Sequence, residues 1–311
     1  MGSLALVLAV PALAQAQSTK PTVTTGGIAD LGQQSATLLG QVKVNGAQTT
    51  YFFQYGTTTI FGAVTPSVTV PGNSGTVNIT APLTGLAPFT RYHYRLVARN
   101  RNGTVNGVRR SLKTQRQPLG LTLAASPNPV PFGQPTVLGG TLTGTGNANR
   151  QILLQSNPFP YTQGFQPTTN VQLTNAVGQF AFPLLSVPLN TQYRVMIPGS
   201  AQIASPILSL GVAVRVGTNA SRTRVRTGRV VRFFGTLRPA RPGAQFAIQR
   251  LRRGSWINVA GGVTHGSANG VSRYSKRVRI RRGGQYRVFV SIVDGNYVSN
   301  AGRSVKITRL F

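Results

Sequence analysis

Apolar and polar positions alternate along this chain over short runs that end in turn formers. Thr50-Tyr-Phe-Phe-Gln-Tyr55 stops at Gly56, Gly75-Thr-Val-Asn-Ile-Thr80 precedes Pro82, and Arg91-Tyr-His-Tyr-Arg-Leu-Val-Ala98 leads to Asn102-Gly103. Runs of this length, rich in β-branched and aromatic residues, predict strands rather than helices. Arg250-Leu-Arg-Arg-Gly-Ser-Trp256 reads as a hairpin of the same kind. Helix-forming Glu and Lys are scarce, which points the same way.

The pattern occurs three times. Gly40-Gln-Val42, Gly140-Thr-Leu142 and Gly235-Thr-Leu237 each close a strand-like run, and Tyr94-Arg-Leu96, Tyr193-Arg-Val195 and Tyr286-Arg-Val288 follow. The separation from glycine to tyrosine is 54, 53 and 51 residues. A spacing so nearly constant predicts three modules, residues 21–116, 117–211 and 212–311, each a β-sandwich of short strands. Lys113-Thr-Gln-Arg-Gln-Pro-Leu119, polar and proline-bearing, reads as the first linker. Residues 1–17 carry an apolar stretch, Leu4 to Leu13, followed by small residues, the outline of a secretory signal peptide without the usual preceding basic residue. No other apolar run approaches the length of a membrane span.

The second half of the first module carries a family resemblance. Leu86-Ala-Pro-Phe-Thr-Arg-Tyr92-His-Tyr94-Arg-Leu-Val-Ala98, followed by Asn100-Arg-Asn-Gly103, resembles the tyrosine corner and following strand of fibronectin type III domains, and Phe53-Gln-Tyr-Gly-Thr57 resembles a strand end of bacterial members. The resemblance implies that the corner tyrosine caps a loop with its hydroxyl, a role in the fold. It also implies a core tryptophan on the second strand, which is absent here, with Leu38 in its place. The second and third modules look like bacterial immunoglobulin-like domains, with Ser126-Pro-Asn-Pro-Val-Pro-Phe-Gly133 opening the former. The expected fold is all-β, three tandem fibronectin type III or immunoglobulin-like sandwiches.

Charge narrows the chemistry. The chain has 311 residues, with 33 Lys plus Arg against 2 Asp plus Glu, a formal net charge of +31. The excess comes from missing acids, since Asp30 and Asp294 are the only carboxylate side chains. Paired-carboxylate catalysis and carboxylate-rich cation sites have no material to work with. The absence of Cys removes thiol nucleophiles, disulfides and thiolate metal sites. His93 and His265 are the only histidines, and with no Cys and only two distant carboxylates as possible co-ligands neither makes a zinc site or a Ser-His-Asp arrangement. These exclusions favour a protein that is not an enzyme and uses no cofactor.

The three modules carry 10, 2 and 21 Lys plus Arg, so the excess is concentrated in the third. There Arg222, Arg224 and Arg226 alternate with Thr223 and Val225, and Arg277, Arg279 and Arg281 with Val278 and Ile280, while Arg232 lies between Val231 and Phe233. A period of two puts each set on one face of a strand. The immunoglobulin-like resemblance implies that residues 221–227, 229–237 and 273–281 share a sheet, which would gather all seven arginines on one face. Guanidinium forks pair with carboxylate or phosphate. The expected partner is an anionic polymer of the cell envelope or matrix: acidic polysaccharide, teichoic acid or extracellular DNA. The alternative is a solvated sheet face enriched in Arg. Phe159, Tyr161 and Phe165, in a loop of the second module, would either stack on sugar rings or cap the sandwich core.

The expected function is attachment at a cell surface or in the extracellular matrix by a secreted, non-enzymatic adhesion protein. A structural spacer that associates with itself, and an accessory module serving a separately encoded secreted hydrolase, are the other two readings.

Overall fold

The computed structural model describes residues 17–310 apart from Ala268, so the predicted leader lies, but for Gln17, outside the described residues. Among these residues the regular structure is all strand, arranged in three tandem β-sandwiches, each around its own hydrophobic core. The chain divides into two compact units. One ends at Pro118 and contains the first sandwich; the other begins at Leu119 and contains the second and third.

In the first sandwich Thr22–Ala29, Ala36–Lys43 and Thr76–Leu83 form one sheet, and Thr49–Thr58 and Arg91–Asn100 form the centre of the other. First, second and sixth strands thus share a sheet, with the third between them in sequence on the other, as in immunoglobulin-like sandwiches. Leu38, Phe53, Tyr94 and Leu96 fill the space between the sheets, with Leu38 fully buried. The Tyr92 hydroxyl accepts a hydrogen bond from the Ala87 amide at 2.9 Å, closing the corner before its strand. The hydroxyl of Tyr94 donates to the Gly26 carbonyl at 3.1 Å.

The repeated glycine has a steric reason. A methyl group on Gly40 would stand 3.0 Å from the Thr24 carbonyl oxygen, on Gly140 2.1 Å from that of Thr122, and on Gly235 1.8 Å from that of Gly217. In each sandwich the opening segment passes the glycine-bearing strand too closely for a side chain to intervene.

The repeated Tyr-Arg pair has an equally regular environment. The tyrosine turns into the core, and the arginine that follows it lies on the other face of the strand, across from a glutamine. Arg95 Nε donates to Gln54 Oε1 at 2.7 Å, Arg194 Nε to Gln155 Oε1 at 2.7 Å, and Arg287 Nε to Gln249 Oε1 at 2.8 Å. Each guanidinium also lies over an aromatic ring, Phe61, Phe165 and Trp256 respectively, at 4.9, 4.4 and 4.2 Å from the centroid. The glutamines pair in register with the arginines, so one polar clamp ties the same two strands in all three sandwiches.

The second and third sandwiches are joined by backbone pairing. Val130–Pro131 runs parallel to Val212–Ala213, and Ala213 bridges Val298. Asn190 holds both sides: its Nδ2 donates to the Gly295 carbonyl at 2.8 Å, and its Oδ1 accepts from the Val212 amide at 2.7 Å. Tyr297 packs edge-on against Phe132 and donates its hydroxyl to the Pro188 carbonyl at 2.9 Å.

In the third sandwich Val230–Arg238 and Val271–Arg279 pair at the centre of one sheet. Arg224–Arg226, Val305–Leu310, Gly284–Ser291, Gln245–Arg252 and Ser255–Val263 follow one another across the second sheet. The hairpin expected around Arg253 is present, with Arg253 and Gly254 both at positive φ, as a two-residue hairpin turn requires. His265 belongs to a three-residue strand, His265–Ser267, that adds to the edge of Val271–Arg279.

Candidate functional site

The three arginine strands of the third sandwich do not share one sheet. Arg215–Val216 and Asn219–Ala220 pair with Val230–Arg238, but the chain then crosses to the opposite sheet, where Arg224–Arg226 pairs in parallel with Val305–Leu310. The Thr308 amide donates to the Thr223 carbonyl at 2.7 Å, and Val225 enters the core. Alternation is kept along the strand, with Val225 inward and Arg224 and Arg226 exposed; its partner strand is what differs from the expectation. A segment that opens on one sheet and finishes on the other satisfies backbone groups along the edges of both.

This crossing turns the expected flat face into a groove at the sandwich edge. Arg222, Arg224, Arg226, Arg229, Arg232, Arg277 and Arg279 line an open concavity of about 920 Å³, to which Leu310 also contributes. The register puts Arg232 directly opposite Arg277, and Val230 opposite Arg279. Like charges in that position repel. No side-chain carboxylate is among the lining residues. Asp294 is engaged with Arg241 at 3.2 Å, and Asp30 lies in the other unit, where it accepts from the Thr37 hydroxyl at 3.3 Å.

Arg281 does not join the groove. The strand ends at Arg279, because the Ile280 amide and carbonyl turn to Arg229 and Gly228 and the Ile280 side chain is buried, leaving Arg281 exposed in the bend beyond. Arg229 takes its place. Its signal in the sequence was the segment Arg226-Thr-Gly-Arg229, a turn in which Gly228 has φ of +80° and the Arg229 amide donates to the Arg226 carbonyl at 3.2 Å. A search for period two passes over a cation delivered by a turn.

A second depression of about 410 Å³ adjoins the groove and shares Arg232 with it. Phe234, Arg273, Tyr274, Ser275 and His265 are among its walls. Phe234 is half-buried on the outward side of its strand, and the Arg232 guanidinium lies 4.9 Å from its ring centroid.

The aromatic residues of the second sandwich are separated. Phe159 and Tyr161 meet edge-to-face at 5.4 Å, and Phe159 lies against Gly295 of the third sandwich, so closely that a methyl group there would stand 2.5 Å from the ring. Phe165 lies under Arg194 instead. All three are half-buried and already in contact with protein. Among the described residues no group of three or more His, Asp or Glu stands together to hold a metal ion, and no helix is long and apolar enough to cross a membrane.

The sequence matches no family model and no curated protein. Among solved structures it is similar to the FN1–FN3 domains of chicken CNTN1, at 16% identity over 93% of this chain and 100% of that one, with a TM-score of 0.29. It is similar to domains A168–A170 of titin at 12% identity over 94% and 100%, with a TM-score of 0.38. A tetra-tandem repeat from the extending region of a large adhesion protein gives 15% identity over 92% and 74%, with a TM-score of 0.27. At scores this low the likeness adds nothing to the sandwich order read from the strands themselves.

Proposed function

We propose that this is a secreted, non-enzymatic attachment protein whose third sandwich holds an anionic polymer of a cell envelope or extracellular matrix. The observation that carries this reading is the groove: seven arginines drawn from two sheets, a turn and the crossing segment, with no side-chain carboxylate among them. A solvated surface ordinarily mixes signs. Guanidinium groups supply only donors, so they suit a ligand rich in acceptor oxygens. The paired junction between the second and third sandwiches supports a second role, that of a stiff spacer presenting the groove.

Retention of the full chain on heparin, DNA and envelope polymers tests the reading. Replacement of Arg224, Arg226 and Arg279 together by Ser is expected to lower the slope of log affinity against log salt by about three, roughly one for each phosphate-type contact removed. Arg281→Ser is expected to leave the slope unchanged. Equal retention of the triple variant and the parent would remove the groove as the binding site.

A further inference from the structure

The outer face of the Val230–Arg238 and Val271–Arg279 pair continues the groove in an ordered series. Register gives four successive outward pairs: Val230 with Arg279, Arg232 with Arg277, Phe234 with Ser275, and Thr236 with Arg273. Outward residues two apart on a strand are separated by about 7 Å. A half-buried aromatic ring thus stands between two cationic positions, each about one such step away, and His265 pairs in register with Arg273 on the flank.

A simple polyanion would use the arginines and leave the ring no contact beyond Arg232. A neutral sugar polymer would need acceptors for its hydroxyls, yet the cations of this face are pure donors. The ligand that answers both features carries phosphates, which accept only, and flat rings at short intervals along a flexible backbone. Building on the anionic-polymer reading above, we infer that the preferred ligand is single-stranded nucleic acid, its phosphates held by the groove arginines and a base stacked at Phe234. A duplex offers the same phosphates but keeps its bases stacked inside, out of reach of a ring embedded in a sheet face. Arg232 connects the two parts, because it lines the groove and also lies over Phe234.

The test compares four probes on the full chain at matched phosphate or charge: an oligothymidylate, a duplex of mixed sequence, inorganic polyphosphate and heparin. The parent is expected to hold the oligothymidylate at salt concentrations that release the duplex and the polyphosphate. Phe234→Leu, which keeps apolar bulk and removes the π face, should cut oligothymidylate affinity about tenfold, the scale of one lost base stack, and leave polyphosphate and heparin within about twofold. Phe234→Ala, with the fold checked by circular dichroism, should do the same. Equal binding of strand and duplex overturns the inference, as does a Phe234 effect that is absent or identical for all four probes, or tighter binding of heparin than of the oligothymidylate. In those cases loss of every probe on replacement of Arg224, Arg226 and Arg279 would still support the anionic-polymer reading. Retention of polyphosphate by that triple variant would overturn both.

Discussion

Burial sets the chemistry of single side chains most clearly at Tyr274. Its hydroxyl donates to the Gly217 carbonyl at 2.5 Å, and loss of water around it pushes its pKa from the ordinary 10.0 up to about 12. The unfolded chain therefore ionises first. The contribution of Tyr274 to stability is complete below pH 10.0 and is lost as pH rises towards about 12. Urea unfolding of Tyr274→Phe should show about 0.5–1.5 kcal/mol less stability at neutral pH, the net worth of one hydrogen bond whose acceptor regains water. It should also show a shallower fall above pH 10.0 than the parent. The Arg-Gln-aromatic clamps are a second matter of single residues. Removing Gln155 alone leaves Arg194 over Phe165, so a double-mutant cycle on Gln155 and Arg194 should yield a coupling of about 0.5–1.5 kcal/mol.

For the strands, what could be read from the sequence was local. Alternation in Arg91-Tyr-His-Tyr-Arg-Leu-Val-Ala98 and the Arg253-Gly254 turn were legible because side-chain period and turn chemistry depend on adjacent residues. The sheet to which Arg224–Arg226 belongs was not, because period two states which side chains share a face and leaves open which strand lies alongside. That choice depends on Thr308–Leu310, far along the chain, and on a core that accepts Val225 from the edge. For the same reason the arginines were recognised as a set while their meeting place, a groove rather than a face, was not. The Gln partners of the Tyr-Arg repeats were visible as letters but acquired meaning only from register. Close strand crossing also yields a prediction. Gly140→Ala and Gly235→Ala would press a methyl group against backbone oxygens at 2.1 and 1.8 Å. Each should cost at least about 1–3 kcal/mol in chemical denaturation, because backbone, unlike a flexible side chain, yields little. Gly27→Ala, with open space around it, is the control and should change stability by only about 0.5 kcal/mol.

Across the second unit, coupling between sandwiches rests on few residues. Asn190 satisfies Val212 and Gly295 with one side chain, so Asn190→Ala leaves two backbone groups to find other partners. Calorimetry of the variant should resolve separate transitions for the second and third sandwiches, where the parent is expected to unfold them together. A single unsplit transition in the variant would assign the coupling to the backbone pairing at Val212–Val214 and the Tyr297 contacts with Phe132 and Pro188. The parallel pairing of Arg224–Arg226 with Val305–Leu310 governs the order of assembly as well. A nascent chain folds from its N-terminal part onward, and contacts between distant segments close late. The wall that carries Arg224 and Arg226 can dock only after residues 305–310 have been made. Until then Arg224 and Arg226 are not held beside Arg232, Arg277 and Arg279, so the groove is completed only when the sandwich closes across both sheets.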